Sequence, residues 1–290
     1  MGEMNAQRIV VTNAMVTTYS TGPITELPKS IVFNNVTFRA VAIVLLLFGL
    51  AGQSTAKVRL FDKDIGWPGE TLLGEPCYGR PQGTGPFDYA DPRFATKGEY
   101  RHIIGHSGMS VRTLVEGAHF KPQTERLERG VKSVSPMPDI DYTIRAFPNH
   151  HRALWAMVRY YLRQLKRNPN PVVLSGIRRG SSFPPPECYF YRAEAFNPHD
   201  PGVPAIFGLY LHKLEKFDAA LAQYKKAESM GSPSSDLYYN MGLLYADMND
   251  LENAQKYADI ARKSGHPLTG LQRKIDRLKA KQKQSDLADQ

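Results

Sequence analysis

Four pairs of residues in the C-terminal half recur at one interval. Gly208 returns as Gly242, Ala220 as Ala254, Ala227 as Ala261 and Pro233 as Pro267, each pair 34 residues apart. A constant period of this length requires a supersecondary unit stacked on copies of itself, because a single unit cannot bury its own apolar face. Small Gly242 and Ala254 mark where two antiparallel helices approach closely, and Tyr238, Tyr245 and Leu251 at helical spacing fill the space between them. Asn249-Asp250 and Gly231-Ser232-Pro233 supply the turns.

The period extends backward. Ala193 lies 34 residues before Ala227 and Phe190 lies 34 before Tyr224, so Glu187 to Phe196 is expected to be the second helix of an earlier unit. Its first helix is expected over His150 to Arg167, with Trp155, Val158 and Leu162 on the packed face. Arg159 stands where a small residue belongs, which implies a wider or skewed helix pair. Residues 168–186 between them (NPNPVVLSGIRRGSSFPPP) are too rich in Pro and Gly for helix and are expected to form an inserted, protruding loop. Upstream, Asp139 to Phe147 reads as one more second helix. Downstream, Leu268, Leu271, Ile275 and Leu278 form a one-sided stripe suited to a capping helix.

The second copy, Ser235 to Pro267, resembles the tetratricopeptide repeat, with Tyr238 in the Trp place, Met241-Gly242 for Leu-Gly, then Tyr245, Ala254, Ala261 and a terminal Pro. The first copy, Pro201 to Pro233, keeps Phe207-Gly208, Leu211, Ala220, Tyr224 and Ala227, with Pro204 at the Trp place. The resemblance covers residues 139–284. It implies a mainly α fold: a right-handed α-solenoid of antiparallel helix pairs, about three units plus the cap. Two further blocks, Asp141 to Leu154 and Pro185 to Ala193, resemble those of an exported proteobacterial tetratricopeptide family with no established activity. That likeness implies secretion or periplasm, and no reaction.

Ala40 to Ala51 is twelve apolar residues, against the roughly 20 that a spanning helix needs. Arg39 precedes it and Ser54-Thr55-Ala56 follows, which fits a signal peptide cleaved after Ala56. The polar stretch Met1 to Asn35 is too long for a signal n-region, and a start at Val36 would restore conventional proportions. The expected organisation is therefore 1–56 extension and signal, 57–138 a small irregular or α+β module, 139–284 the repeats and 285–290 a polar tail. The mature chain is expected to be periplasmic or secreted, with no transmembrane span.

The whole chain carries 37 basic and 28 acidic residues, a net +9. Without residues 1–56 it loses Arg8, Lys29 and Arg39 against Glu3 and Glu26, leaving 34 and 26 and a net +8. The densest basic run, Arg273 to Lys283, has no interleaved aromatics, so a solvated helix face is expected in place of nucleic-acid binding. Two cysteines exclude a disulfide-rich scaffold and any four-cysteine metal site. In an oxidising compartment Cys77 and Cys188 are expected to pair and clamp the irregular module to the repeats; two buried free thiols are the alternative.

Catalytic signals are sparse. His102-Ile103-Ile104 and Val111 to Glu116 read as short strands, and Pro122 to Arg129 as a short helix opened by Pro. Ser107 lacks the glycine spacing of a nucleophile elbow. His102, His106, Glu116 and His119 are scattered too widely, among glycines, to make a convincing metal set. Asn149 reads as the cap of the helix that follows, with one of His150 and His151 packed inward. No phosphate-binding glycine loop or paired catalytic carboxylates occur, so neither cofactor nor catalytic residue is expected.

The resemblance places a partner-binding groove on the first helices of the repeats, lined by Asp236, Tyr239, Asn240, Leu243 and Asp247 from the second copy and Leu209, His212 and Lys213 from the first. Asn240 is suited to hold an extended peptide backbone, beside an apolar wall of Tyr239 and Leu243; its alternative role is to tie neighbouring helices. The basic residues of a full carboxylate clamp are incomplete. The expected function is a protein–protein interaction scaffold for a protein or peptide in the cell envelope. The competing class is an envelope enzyme or small-ligand or metal-binding protein, with His119, Glu116 or the 168–186 loop between module and repeats. A third is a peripheral protein that lays its lysine-rich C-terminal helix on anionic lipid.

Overall fold

The 34-residue interval reappears in the backbone. A computed structural model describes residues 65–97, 108–167, 169, 183–231 and 234–288. The export signal, the cleavage position, His102, His106, Ser107 and most of the 168–186 insertion lie outside these residues. Among the described residues the chain forms ten α-helices and no strand. They are α1 (Val111–His119), α2 (Pro122–Glu125), α3 (Met137–Ala146), α4 (His151–Arg167), α5 (Pro186–Phe196), α6 (Gly202–Lys213), α7 (Phe217–Ser229), α8 (Ser235–Asp247), α9 (Leu251–Lys263) and α10 (Gly270–Ala288).

Helices α6 and α7 pack against each other, as do α8 and α9, and each pair is joined by three residues. So short a link requires the second helix to run back along the first. Both turns are built alike: Glu215 and Asn249 take left-handed backbone at φ 59° and 61°. Both also close with the same long bond, Lys216 N–H to Leu211 O at 3.0 Å and Asp250 N–H to Tyr245 O at 2.9 Å. Gly231 and Gly265, again 34 apart, end α7 and α9 at φ 87° and 85°.

One apolar core runs through α3 to α10. Ala220, Tyr224, Ala227, Ala254 and Ala261 are all buried. A Cβ on Gly208 would fall 2.5 Å from the Tyr224 ring, so the close approach inside the α6/α7 pair depends on its absence. At Gly242 the nearest group is Leu271 of α10, and the Ala254 carbonyl stands at the edge of contact, 3.4 Å away. The glycine of the second copy thus makes room mainly for the cap. Tyr245 stacks on Tyr257 (5.4 Å, 14°) with Tyr238 beside them, while Leu251 merely opens α9, half-buried. Phe190 of α5 stacks on Phe207 of α6 (4.6 Å, 8°), which joins α5 to the helix pair that follows it.

Several expectations need correction. Val111 to Glu116 is helix, not strand: Ser110 caps it by accepting the Thr113 N–H (3.1 Å), and buried Val111 and Val115 fall four apart on one face. Of Pro122 to Arg129 only Pro122–Glu125 is helical. Arg159 reaches the end of α2, where it donates to the Glu125 carbonyl at 2.6 Å. Leu268 lies outside the capping helix and is 63% exposed, so the buried stripe is Leu271, Ile275 and half-buried Leu278. The polar tail continues α10 as helix through Ala288, which leaves its polar character unchanged.

The disulfide joins Cys77 to buried Cys188 of α5, with the Cα atoms 5.5 Å apart. Around it the irregular segment lies on α5: Trp67 meets Tyr189 edge-on at 5.1 Å, the Leu72 N–H donates to Glu187 at 2.8 Å, and Arg192 donates to the Gly66 carbonyl at 3.1 Å. A second small core of Phe87, Phe94, Val111, Val115, Ala146 and Phe147 holds the rest of the module to α3.

Candidate functional site

The first helices of successive units, α4, α6 and α8, share a cleft of about 380 Å³. That volume lies within the range of small binding pockets. Trp155 of α4, Ala205, Ile206 and Leu209 of α6, and Leu237 of α8 give it an apolar lining. His151 and Arg152 stand on one wall; Ser234, Asp236 and Asn240 stand on the other. The side chains reach the cleft because residues 202, 205, 206 and 209 share one helical face, and so do 237 and 240. Gly202 permits the approach, since a Cβ there would strike the His151 ring.

The expected groove residues divide into three groups. Leu209, Asp236 and Asn240 line the cleft. Among the described residues the Asn240 amide makes no hydrogen bond, so no helix–helix tie claims it. His212 and Asp247 are brought together differently. His212 Nε2 meets Asp247 Oδ2 at 3.0 Å, and Lys274 of α10 donates to the other carboxylate oxygen. This chain of contacts ties α6, α8 and α10, so both residues act as struts. Burial lowers the His212 pKa more than the Asp247 hydrogen bond raises it. For Asp247 burial pushes upward, but Lys274 and His212 outweigh it and hold the carboxyl below its usual range.

Tyr239, Leu243 and Lys213 are absent from the cleft. Tyr239 stacks on His266 at 4.0 Å and 12°, facing a second, smaller cleft of about 270 Å³ against α10. Leu243 packs half-buried on the core, and Lys213 is exposed. The apolar wall is therefore made by Trp155, Ile206 and Leu209 in place of Tyr239 and Leu243. Trp155 is expected from the sequence on a packed face of α4, whereas Ile206 carries no such expectation; its place one turn from Leu209 along α6 is the signal available for it.

At the junction of the module with the helices, the polar groups are committed to one another. His150 is buried, and its Nδ1 accepts the Ala153 N–H at 3.1 Å. The ring proton therefore sits on Nε2 and is donated to Glu116 at 3.0 Å. Burial lowers the His150 pKa against the opposing pull of Glu116. Glu116 is itself raised by burial but held low overall by His150, Arg152 and Arg112. His150, not Asn149, caps α4. The buried Asn149 amide instead donates to Asp88 and Asp200 (2.7 Å each) and accepts the Tyr89 N–H. His151 pairs with Asp200 at 2.9 Å, and His119 with buried Asp139 at 2.7 Å. Among the described residues no group of three or more His, Cys, Asp or Glu is arranged to hold a metal ion, and no helix is long and apolar enough to cross a membrane.

Compared with known proteins, the chain matches no family model and no curated protein.

Proposed function

We propose that the chain is an interaction scaffold of tetratricopeptide type, a right-handed stack of helix pairs carrying an irregular N-terminal module and a capping helix. It is exported to the cell envelope, and it binds a protein or peptide segment in the cleft across α4, α6 and α8. The observation that carries this reading is the cleft itself. Three first helices of consecutive units converge on it with half-buried apolar side chains at its floor and an uncommitted amide, Asn240, at its edge. An extended peptide has the matching chemistry: an apolar side chain for the floor and backbone N–H and C=O groups for the amide. The 34-residue recurrence, now seen in turn geometry as well as in residue type, supports the repeat assignment. The cystine between Cys77 and Cys188 supports an oxidising compartment.

Selection of displayed random peptides on the purified chain tests the proposal. The expected result is a set of binders sharing a bulky apolar residue, with affinity falling more than tenfold on Leu209→Asp, since one buried apolar side chain contributes about 1.5–3 kcal/mol. Binders indifferent to Leu209→Asp and Asn240→Ala would place the partner elsewhere.

A further inference from the structure

The second cleft lies at the other end of the array, between α8, α9 and the start of α10, and its floor is apolar: Tyr239, Ala258, Ala261 and Leu271. Its rim carries Arg262 from α9 and Arg273 from α10. From Arg273 the basic residues continue at four-residue steps as Arg277 and Lys281, all exposed on the side of α10 turned away from its buried residues Leu271 and Ile275. Leu268, at the head of this strip on the loop before α10, is 63% exposed. Beyond Leu278 the helix leaves the core: every residue from 279 to 287 is exposed, which adds Lys279 and Lys283 to the same end.

We propose that this strip, Arg262, Arg273, Arg277 and Lys281 with Leu268 at its head, is a docking surface for an anionic phospholipid bilayer. The charge is complementary and lightly compensated. Arg262 bonds Asp259 at 3.0 Å, and Asp276 receives the Gln272 amide at 2.9 Å. An exposed leucine set among basic side chains presents one apolar group to the acyl boundary while the cations meet phosphates, the arrangement by which surface helices bind charged membranes. Nucleic acid fits less well, because the two aromatic rings of the cleft, Tyr239 and His266, are stacked on each other and each has one face covered, so neither is an open stacking platform for a base. The surface lies on other residues than the peptide cleft, so the two can be occupied together.

Sedimentation with vesicles of phosphatidylcholine alone, or of phosphatidylcholine with phosphatidylglycerol, tests this on the full chain. Binding is expected only to the anionic vesicles and is expected to weaken with salt. Each basic residue near a charged surface is worth roughly fivefold, so Arg273→Gln, Arg277→Gln and Lys281→Gln together should lower the affinity by about a hundredfold. Leu268→Ser, on a side chain outside the core, should weaken what binding survives high salt. Equal binding to neutral vesicles, an unaffected triple variant, full displacement by millimolar inorganic phosphate, or comparable affinity for duplex DNA would each overturn the proposal.

Discussion

Glu215 and Asn249 occupy the same place in consecutive helix turns, 34 residues apart, and both hold left-handed backbone. The two side chains differ in how readily they accept it. Asn visits this region routinely, whereas for Glu it costs about 1 kcal/mol. Glu215→Gly is therefore expected to stabilise the fold by about 0.5–1 kcal/mol, with Asn249→Gly near neutral, as read from urea midpoints. Equal effects at the two sites would mean that the turns are not equivalent.

Gly208 and Gly242 also share a repeat place but face different obstacles. Both obstacles are buried, but an added Cβ at Gly208 meets three atoms of the rigid Tyr224 ring, whereas at Gly242 it meets one terminal methyl of the Leu271 side chain. Gly208→Ala should cost about 2–3 kcal/mol and Gly242→Ala about 1 kcal/mol. Thermal denaturation of the two variants checks the order, and the reverse order contradicts it.

Joining residues 111 apart, the Cys77–Cys188 bond removes chain entropy from the unfolded state. On that basis its loss should cost on the order of 4–5 kcal/mol. Guanidinium titrations with and without reductant measure it. A shift below about 1 kcal/mol would show that the other contacts of the irregular segment with α5 suffice.

His150 and His212 are both held below the ordinary histidine pKa, with burial the leading cause. The folded state therefore binds fewer protons than the unfolded chain just below pH 6.5. The stability these two residues contribute is complete above that pH and declines as the pH falls through it. The melting temperature should drop between pH 7 and pH 5, and His150→Gln should flatten the slope. A melting temperature that rises on acidification contradicts the assignment of neutral histidines.

What could be read from the sequence and what could not follow from distinct physics. The helix pairs of α6 to α9 were legible because close packing of two helices demands small residues at fixed offsets, and Gly208, Ala220, Gly242 and Ala254 sit at them. Helix α1 was misread because Val111, Thr113 and Val115 favour strand by residue type and alternate with a period of two. The helix depends on the Ser110 cap and on burial against Phe87 and Phe147, partners distant in sequence. Tyr239 lies apart from the α4/α6/α8 cleft because its neighbour is the cap and its preceding loop, where it stacks on His266. The struts His212 and Asp247 look like groove residues by position; only the location of Lys274 on α10 reveals that they are spent on holding helices together.

Hydrogen–deuterium exchange on the chain with a display-selected peptide tests the central claim most directly. Protection is expected at the start of α4, along Gly202 to Leu209 of α6 and at Asp236 to Asn240 of α8, with α7 and α9 unchanged. Protection confined to α7 and α9, or to the Tyr239–His266 cleft, with none across α4, α6 and α8, would contradict it.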